Sequence, residues 1–189
     1  MTAQQALLPE IIFKSGNKIS HNILVVLGGV GLLALLAQIS IRLPFTPVPV
    51  TGQTLGVALI SLLWGRSRGV SSVFLYLLGG FCGLPFFAFA QSGLSWGPTG
   101  GYLVGMLLAS FLMGSLADSG WTRSFTKTWL AAFLGSCVIF ACGVLVLSLF
   151  VTSSSLLMTG LLPFIPGDIL KTLLACWIVR QTTSLAENK

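Results

Sequence analysis

Long apolar runs alternate with short polar breaks along this chain, at 22–40, 52–64, 70–90, 100–117, 129–151 and 161–179. A bilayer core of about 30 Å takes about 20 apolar residues to cross as a helix, and most of these runs approach that length. Transmembrane strands would instead alternate apolar and polar residues in segments of about ten. The runs here are continuously apolar, so helices are the expectation. The pattern predicts an all-α integral membrane protein, a compact bundle of six transmembrane helices with a structured external cap. The second run is short, and the third is punctured by Gly79, Gly80, Gly83 and Pro85.

Composition agrees with the pattern. Only 7% of the 189 residues are charged and mean hydropathy is +0.96, whereas a soluble domain carries about 25% charged residues. Length allows one membrane domain over 1–189, with a cytoplasmic N-terminal segment at 1–21, the bundle at 22–180 and a cytoplasmic tail at 181–189. The net charge of +6 is scattered singly or in pairs between apolar runs, so it sets topology and predicts no nucleic-acid partner. Lys14, Lys18, Arg66, Arg68, Arg123, Lys127, Arg180 and Lys189 fall in alternate connections and at the ends. Positive-inside bias then places both termini in the cytoplasm, with lipid around the bundle. Trp64, Trp121, Trp129 and Trp177 cluster near that boundary, and Trp96 marks the other face. The first run also resembles a signal peptide, but it is long, and losing it would spoil the charge alternation.

Three irregular segments fall on the predicted external face. Pro44, Pro47 and Pro49 lie in the stretch 44–53, which ends in Thr51, Gly52 and Gln53. Prolines that dense exclude ordinary helix, and apolar non-helical backbone near lipid must be buried or line a cavity. Residues 97–102 place Gly97, Pro98, Thr99, Gly100 and Gly101 before Tyr102. The sixth run opens with Pro163, Pro166, Gly167 and Asp168, and Lys171 follows three residues later on the same helix face. Asp168 is the one acidic residue inside a predicted span, and such residues face a bundle or an aqueous cavity. A self-satisfied structural pair and a polar anchor for a ligand both fit Asp168 and Lys171. The convergence of three polar, irregular segments predicts a ligand pocket.

The chemistry of catalysis is missing from the sequence. No Walker A motif is present, His21 is the single histidine, and Glu10 and Glu187 lie near the termini. Cys82, Cys137, Cys142 and Cys176 sit inside apolar runs without a C-x-x-C pair, as small buried hydrophobes do. No enzyme activity, metal or cofactor is expected.

At 44–53, 97–102 and 163–171 the sequence resembles the BioY family, the biotin-binding S components of energy-coupling-factor vitamin transporters. Residues 76–88, with Gly79, Gly80 and Pro85, resemble that family's third span. The resemblance runs in order from about residue 30 to 180. It implies a six-helix S component that captures biotin from outside, partnered by a transmembrane coupling subunit and two cytoplasmic ATPases. It also implies a binding set of Gln53, Gly80, Phe87, Thr99, Tyr102, Asp168 and Lys171. An ionised Asp168 suits ureido N–H donors, Lys171 a carboxylate or carbonyl oxygen, and Gln53 either; their assignment to ligand groups stays open. The chain departs from the family in a short 89–96 connection and in lacking an Asn beside Gly79 and Gly80. Its small residues on the first run are spaced by three, at Gly28, Gly31, Ala34 and Ala37. Competing expectations are a stand-alone carrier with Asp168 as a proton or ion relay, an S component for another small solute, and a membrane enzyme with an unconventional site.

Overall fold

The computed structural model describes residues 18–93 and 97–187. Lys14, Glu10, Trp96 and Lys189 lie outside the described residues, as does most of the 1–21 segment. The chain runs α1 (Lys18–Gln38), β1 (Ser40–Ile41), β2 (Val50–Thr51), α2 (Gln53–Phe81), α3 (Gly100–Asp118), α4 (Phe125–Leu147), α5 (Leu156–Gly160) and α6 (Ile165–Glu187). Among the described residues, four helical stretches are long and apolar enough to cross a membrane: Ile19–Gln38, Gly100–Asp118, Phe125–Leu147 and Leu156–Leu185. The last takes in α5, a turn and α6.

Helix α2 replaces the expected second and third spans and the polar loop between them. Its backbone is helical except at Gly65, where φ is 77° and ψ is −176°, a combination essentially confined to glycine. The run folds back on itself there. A Cβ on Gly69 would sit 3.0 Å from Ser61 Cα, and Gln53 reaches Tyr76 at 2.6 Å, whereas a straight helix would hold those two about 35 Å apart. Arg66 and Arg68, expected in a loop, therefore lie on the first turn of the returning arm. Its exposed end is capped by Asp118, whose Oδ2 accepts from the Arg66 N–H at 3.1 Å. The returning arm stops at Phe81, not at residue 90. Gly83 takes φ +104°, and Pro85 cannot continue a helix.

The outer surface is apolar as well as the core. Leu27, Leu35, Phe111, Leu145, Leu170 and Trp177 are exposed, while Tyr76, Ile60, Met113 and Ile139 are buried. Helix α3 packs against both α2 and α4, and glycines let the backbones approach. A Cβ on Gly105 would lie 2.8 Å from Ile139 Cα of α4, and one on Gly114 would lie 2.5 Å from Arg66 Cα. Close backbone approach of this kind drives helix association where lipid removes the hydrophobic incentive.

Two expectations change. Cys82 and Cys137 are exposed rather than buried, Cys142 is half-buried, and Cys176 is buried with its thiol directed at the Phe125 carbonyl at 3.3 Å. The small residues of α1 do not form one packed face. Gly28 and Gly31 have open space beside them, Ala37 is fully buried, and Gly29 is the tight contact, against Ser72 and Trp64.

Arg66, Arg68 and Arg180 gather at one end. Arg68 Nε donates to Asn22 Oδ1 at 2.9 Å, joining the start of α1 to the α2 reversal. Arg180 donates to the Thr122 carbonyl at 3.1 Å, joining the end of α6 to the α3–α4 connection. The irregular, proline-bearing segments occupy the opposite end.

Candidate functional site

The 42–49 segment is held at both of its ends. β1 and β2 pair antiparallel, Ser40 with Thr51 and Ile41 with Val50, which closes the segment into a loop. Thr46 Oγ1 donates to the Thr159 carbonyl at 2.6 Å and accepts from the Val48 N–H at 3.2 Å, tying the loop to α5. Prolines remove backbone donors that the loop could not otherwise satisfy so near lipid.

Beneath this loop lies a cavity of about 550 Å³, within the range of small-molecule sites. Its wall brings together Arg42, Gln53, Phe87, Phe89 and Thr99. A second space of about 50 Å³ adjoins it, sharing Pro49, Gln53, Thr99 and Leu103, and adds Thr51, Thr54, Tyr102 and Lys171. Two of the three irregular segments thus line the larger cavity, and α6 reaches only the smaller one.

Gln53 is buried at the first turn of α2. Its Oε1 accepts from Thr51 Oγ1 at 2.9 Å and its Nε2 donates to Tyr76 Oη at 2.6 Å. Lys171 Nζ donates to the Thr51 carbonyl at 3.1 Å and to Thr54 Oγ1 at 2.7 Å. Its hydrogen bonds thus tie α6 to the start of α2 and leave Asp168 to another partner. Asp168 is buried beside Ser136 of α4 and borders neither cavity. Tyr102 is buried on α3 and donates to the Gly160 carbonyl at 2.6 Å. Gly80 is not a cavity residue either; it provides the space into which the Phe87 ring packs. Phe87 meets Tyr76 and Phe81 edge-on, with centroids 5.7 and 5.4 Å apart.

Of the seven residues expected to bind ligand, Gln53, Phe87 and Thr99 border the larger cavity, and Tyr102 and Lys171 the smaller. Asp168 and Gly80 stand behind the walls. Sequence reading missed Arg42 and Phe89, whose guanidinium and ring lie 4.2 Å apart at the rim. Arg42 carried a signal, as the lone basic residue of the proline-rich connection. Phe89 did not, being one of many apolar residues in a run assigned to a helix.

The sequence and the fold have known counterparts. The BioY family profile matches residues 7–188. The chain belongs to the BioY family. Among BioY relatives, the biotin transporter BioY of Thermotoga maritima is 35% identical over 148 residues, 77% of this chain and 86% of its own. The biotin transporter BioY of Rhizobium etli is 35% identical over 162 residues, 78% of this chain and 83% of its own. In three dimensions the chain superposes on the crystal structure, at 2.1 Å, of the S-component for biotin from an ECF-type ABC transporter. The TM-score is 0.79 at 28% identity, over 90% of this chain and 94% of that one.

Proposed function

We propose that this chain is the substrate-capture subunit of a biotin uptake transporter and is not an enzyme. One observation carries the reading beyond family membership. A cavity of about 550 Å³ opens among irregular segments at the end of the bundle opposite Arg68 and Arg180. Positive-inside bias makes that end external and both termini cytoplasmic, so the cavity would face the outside supply of ligand.

Its chemistry suits biotin group by group. Phe87 and Phe89 offer aromatic faces to the apolar thioether ring. Gln53 and Thr99, shared between the two cavities, offer both donors and acceptors to the ureido group. Arg42 at the rim offers a guanidinium fork to a carboxylate tail. Lys171 and Tyr102 would form the floor. Asp168, buried near Lys171, would support its charge from behind.

The two arms of α2 would count as separate crossings, giving six. At about 18 Å and 24 Å both are shorter than the hydrocarbon core, so the cavity would be set into the membrane end. No nucleotide motif is present in the chain, so concentrative uptake would depend on a transmembrane coupling subunit and two cytoplasmic ATPases. Equilibrium binding of labelled biotin to the purified chain tests the reading. Saturable binding without ATP is expected, and its absence from monodisperse protein would overturn it.

A further inference from the structure

The cavity wall between α2 and α3 contains an unusual piece of backbone. Phe89 and Ala90 are consecutive non-glycine residues with φ of 60° and 56°, the left-handed region in which a Cβ crowds the following carbonyl. Two bonds close the turn locally: the Phe87 N–H to the Gln91 carbonyl at 3.1 Å, and the Gln91 N–H to the Ala88 carbonyl at 3.3 Å. Neither touches the N–H of Phe89 or Ala90. The conformation needs support from elsewhere.

That support comes from the last turn of α1. Gln38 Oε1 accepts from the Ala90 N–H at 2.9 Å, while its Nε2 donates to the Phe87 carbonyl at 3.2 Å and to the Ala34 carbonyl at 3.1 Å. One side-chain amide thus grips the turn on both sides and anchors to its own helix. Only Gln or Asn supplies a donor and an acceptor from one neutral amide group, and the reach from α1 favours the longer side chain. Gln38 itself does not border the cavity, whereas Phe87, Ala88, Phe89 and Gln91 do.

We propose that Gln38 is a positioning residue for the binding cavity: its amide holds Phe89 and Ala90 left-handed, so that the turn presents Phe87 and Phe89 as wall. The ligand readout rests on the biotin-capture reading, while the backbone readout does not. With the amide removed, the turn relaxes toward right-handed conformations, Phe89 leaves Arg42, and the cavity loses one side.

Hydrogen exchange on the ligand-free, detergent-solubilised full chain and calorimetry with biotin test this together. Gln38→Met keeps length and packing but removes all of the side chain's hydrogen bonds. It should speed exchange at 86–91 by about tenfold, leave the helices unchanged, and raise the Kd for biotin by about tenfold. Adding Ala90→Gly, which makes the left-handed conformation sterically free, should return the Kd to within about threefold of wild type. A merely structural glutamine would not be rescued by a backbone change 52 positions away. Should Gln38→Met fail to fold, Gln38→Leu also lacks both the donor and the acceptor, and the same exchange at 86–91 decides. Unchanged exchange there overturns the proposal, and so does a loss of affinity that Ala90→Gly fails to recover. A wild-type chain that binds no biotin removes the capture reading, and the exchange result still decides for or against Gln38.

Discussion

Gln53 Nε2 donates to Tyr76 Oη at 2.6 Å, although the two residues stand at the two ends of one helical run. The bond belongs to a chain of them. Thr51 Oγ1 donates to Gln53 Oε1, and Tyr76 Oη passes on to the Phe86 carbonyl at 3.1 Å. Hydrogen bonds therefore connect the proline-rich loop above the cavity to the turn that walls it, through the buried centre of the helical hairpin.

Tyr76→Phe should break that connection while keeping the ring, which lies parallel to Phe86 at 6.0 Å. The change strands the Gln53 amide and the Phe86 carbonyl. Leaving a buried group unsatisfied costs about 1–3 kcal/mol, so thermal unfolding in detergent should shift downward. Biotin affinity should fall as well, because Gln53 borders both cavities.

How much of this was legible in the sequence depends on the kind of signal. Dense prolines at 44, 47 and 49 and the glycines before Tyr102 announced irregular backbone, and the structure places both segments on the larger cavity. Charge alternation announced which connections share an end, and the Arg68–Asn22 and Arg180–Thr122 bonds join those ends. Hydropathy placed a break between the second and third runs, but it could not show that one glycine alone makes the reversal. Gly65 looks like any other in a linear pattern, and Arg66 and Arg68 looked like loop residues rather than the capped start of an arm. Spacing put Asp168 and Lys171 on one face, but it could not foresee that Thr54 would take a hydrogen bond from Lys171 and that Ser136 would stand beside Asp168. Those partners come from other helices.

Gly65→Ala tests the reversal. A Cβ at φ 77°, ψ −176° is opposed by sterics that cost of order 1–3 kcal/mol or more. The variant should lose folded, monodisperse yield on size exclusion. Gly114→Ala should act in the same direction by a different route, because its methyl would meet the Arg66 backbone. Wild-type yield from both would show that the close α2–α3 approach is not needed.

Topology is open to cysteine labelling in a background lacking the four native cysteines. Ser67→Cys, at the α2 reversal, should react with an impermeant maleimide only from the cytoplasm. Ser92→Cys, at the cavity, should react only from outside. The opposite pattern would invert the orientation drawn from the charges.

Energy coupling distinguishes a capture subunit from a carrier. In liposomes the pure chain should bind biotin but not concentrate it, with or without a proton gradient. Concentrative uptake should appear only with partner ATPases and ATP. Accumulation driven by a proton gradient alone would favour a carrier using Asp168 as its relay.

Three substitutions should separate the roles of the charged residues around the cavity. Arg42 stands exposed at the rim, 4.2 Å above Phe89, where a carboxylate tail would find it. Arg42→Met should therefore weaken biotin by about tenfold, the worth of a charge-assisted bond, yet leave biotin amide nearly unaffected. Lys171 ties α6 to Thr51 and Thr54 beneath the smaller cavity. Lys171→Met should weaken both ligands alike, because it loosens the floor rather than the tail contact. Asp168 borders neither cavity and acts from behind, beside Ser136. Asp168→Asn keeps the shape while withdrawing the negative charge near Lys171, so it should reproduce the Lys171→Met pattern of about equal losses for acid and amide. Calorimetry on folded, detergent-solubilised variants reads all three. A loss confined to the acid in Lys171→Met would move the carboxylate from Arg42 to Lys171. Wild-type affinity in Asp168→Asn, with reduced folded yield, would make that residue a structural support with no part in binding.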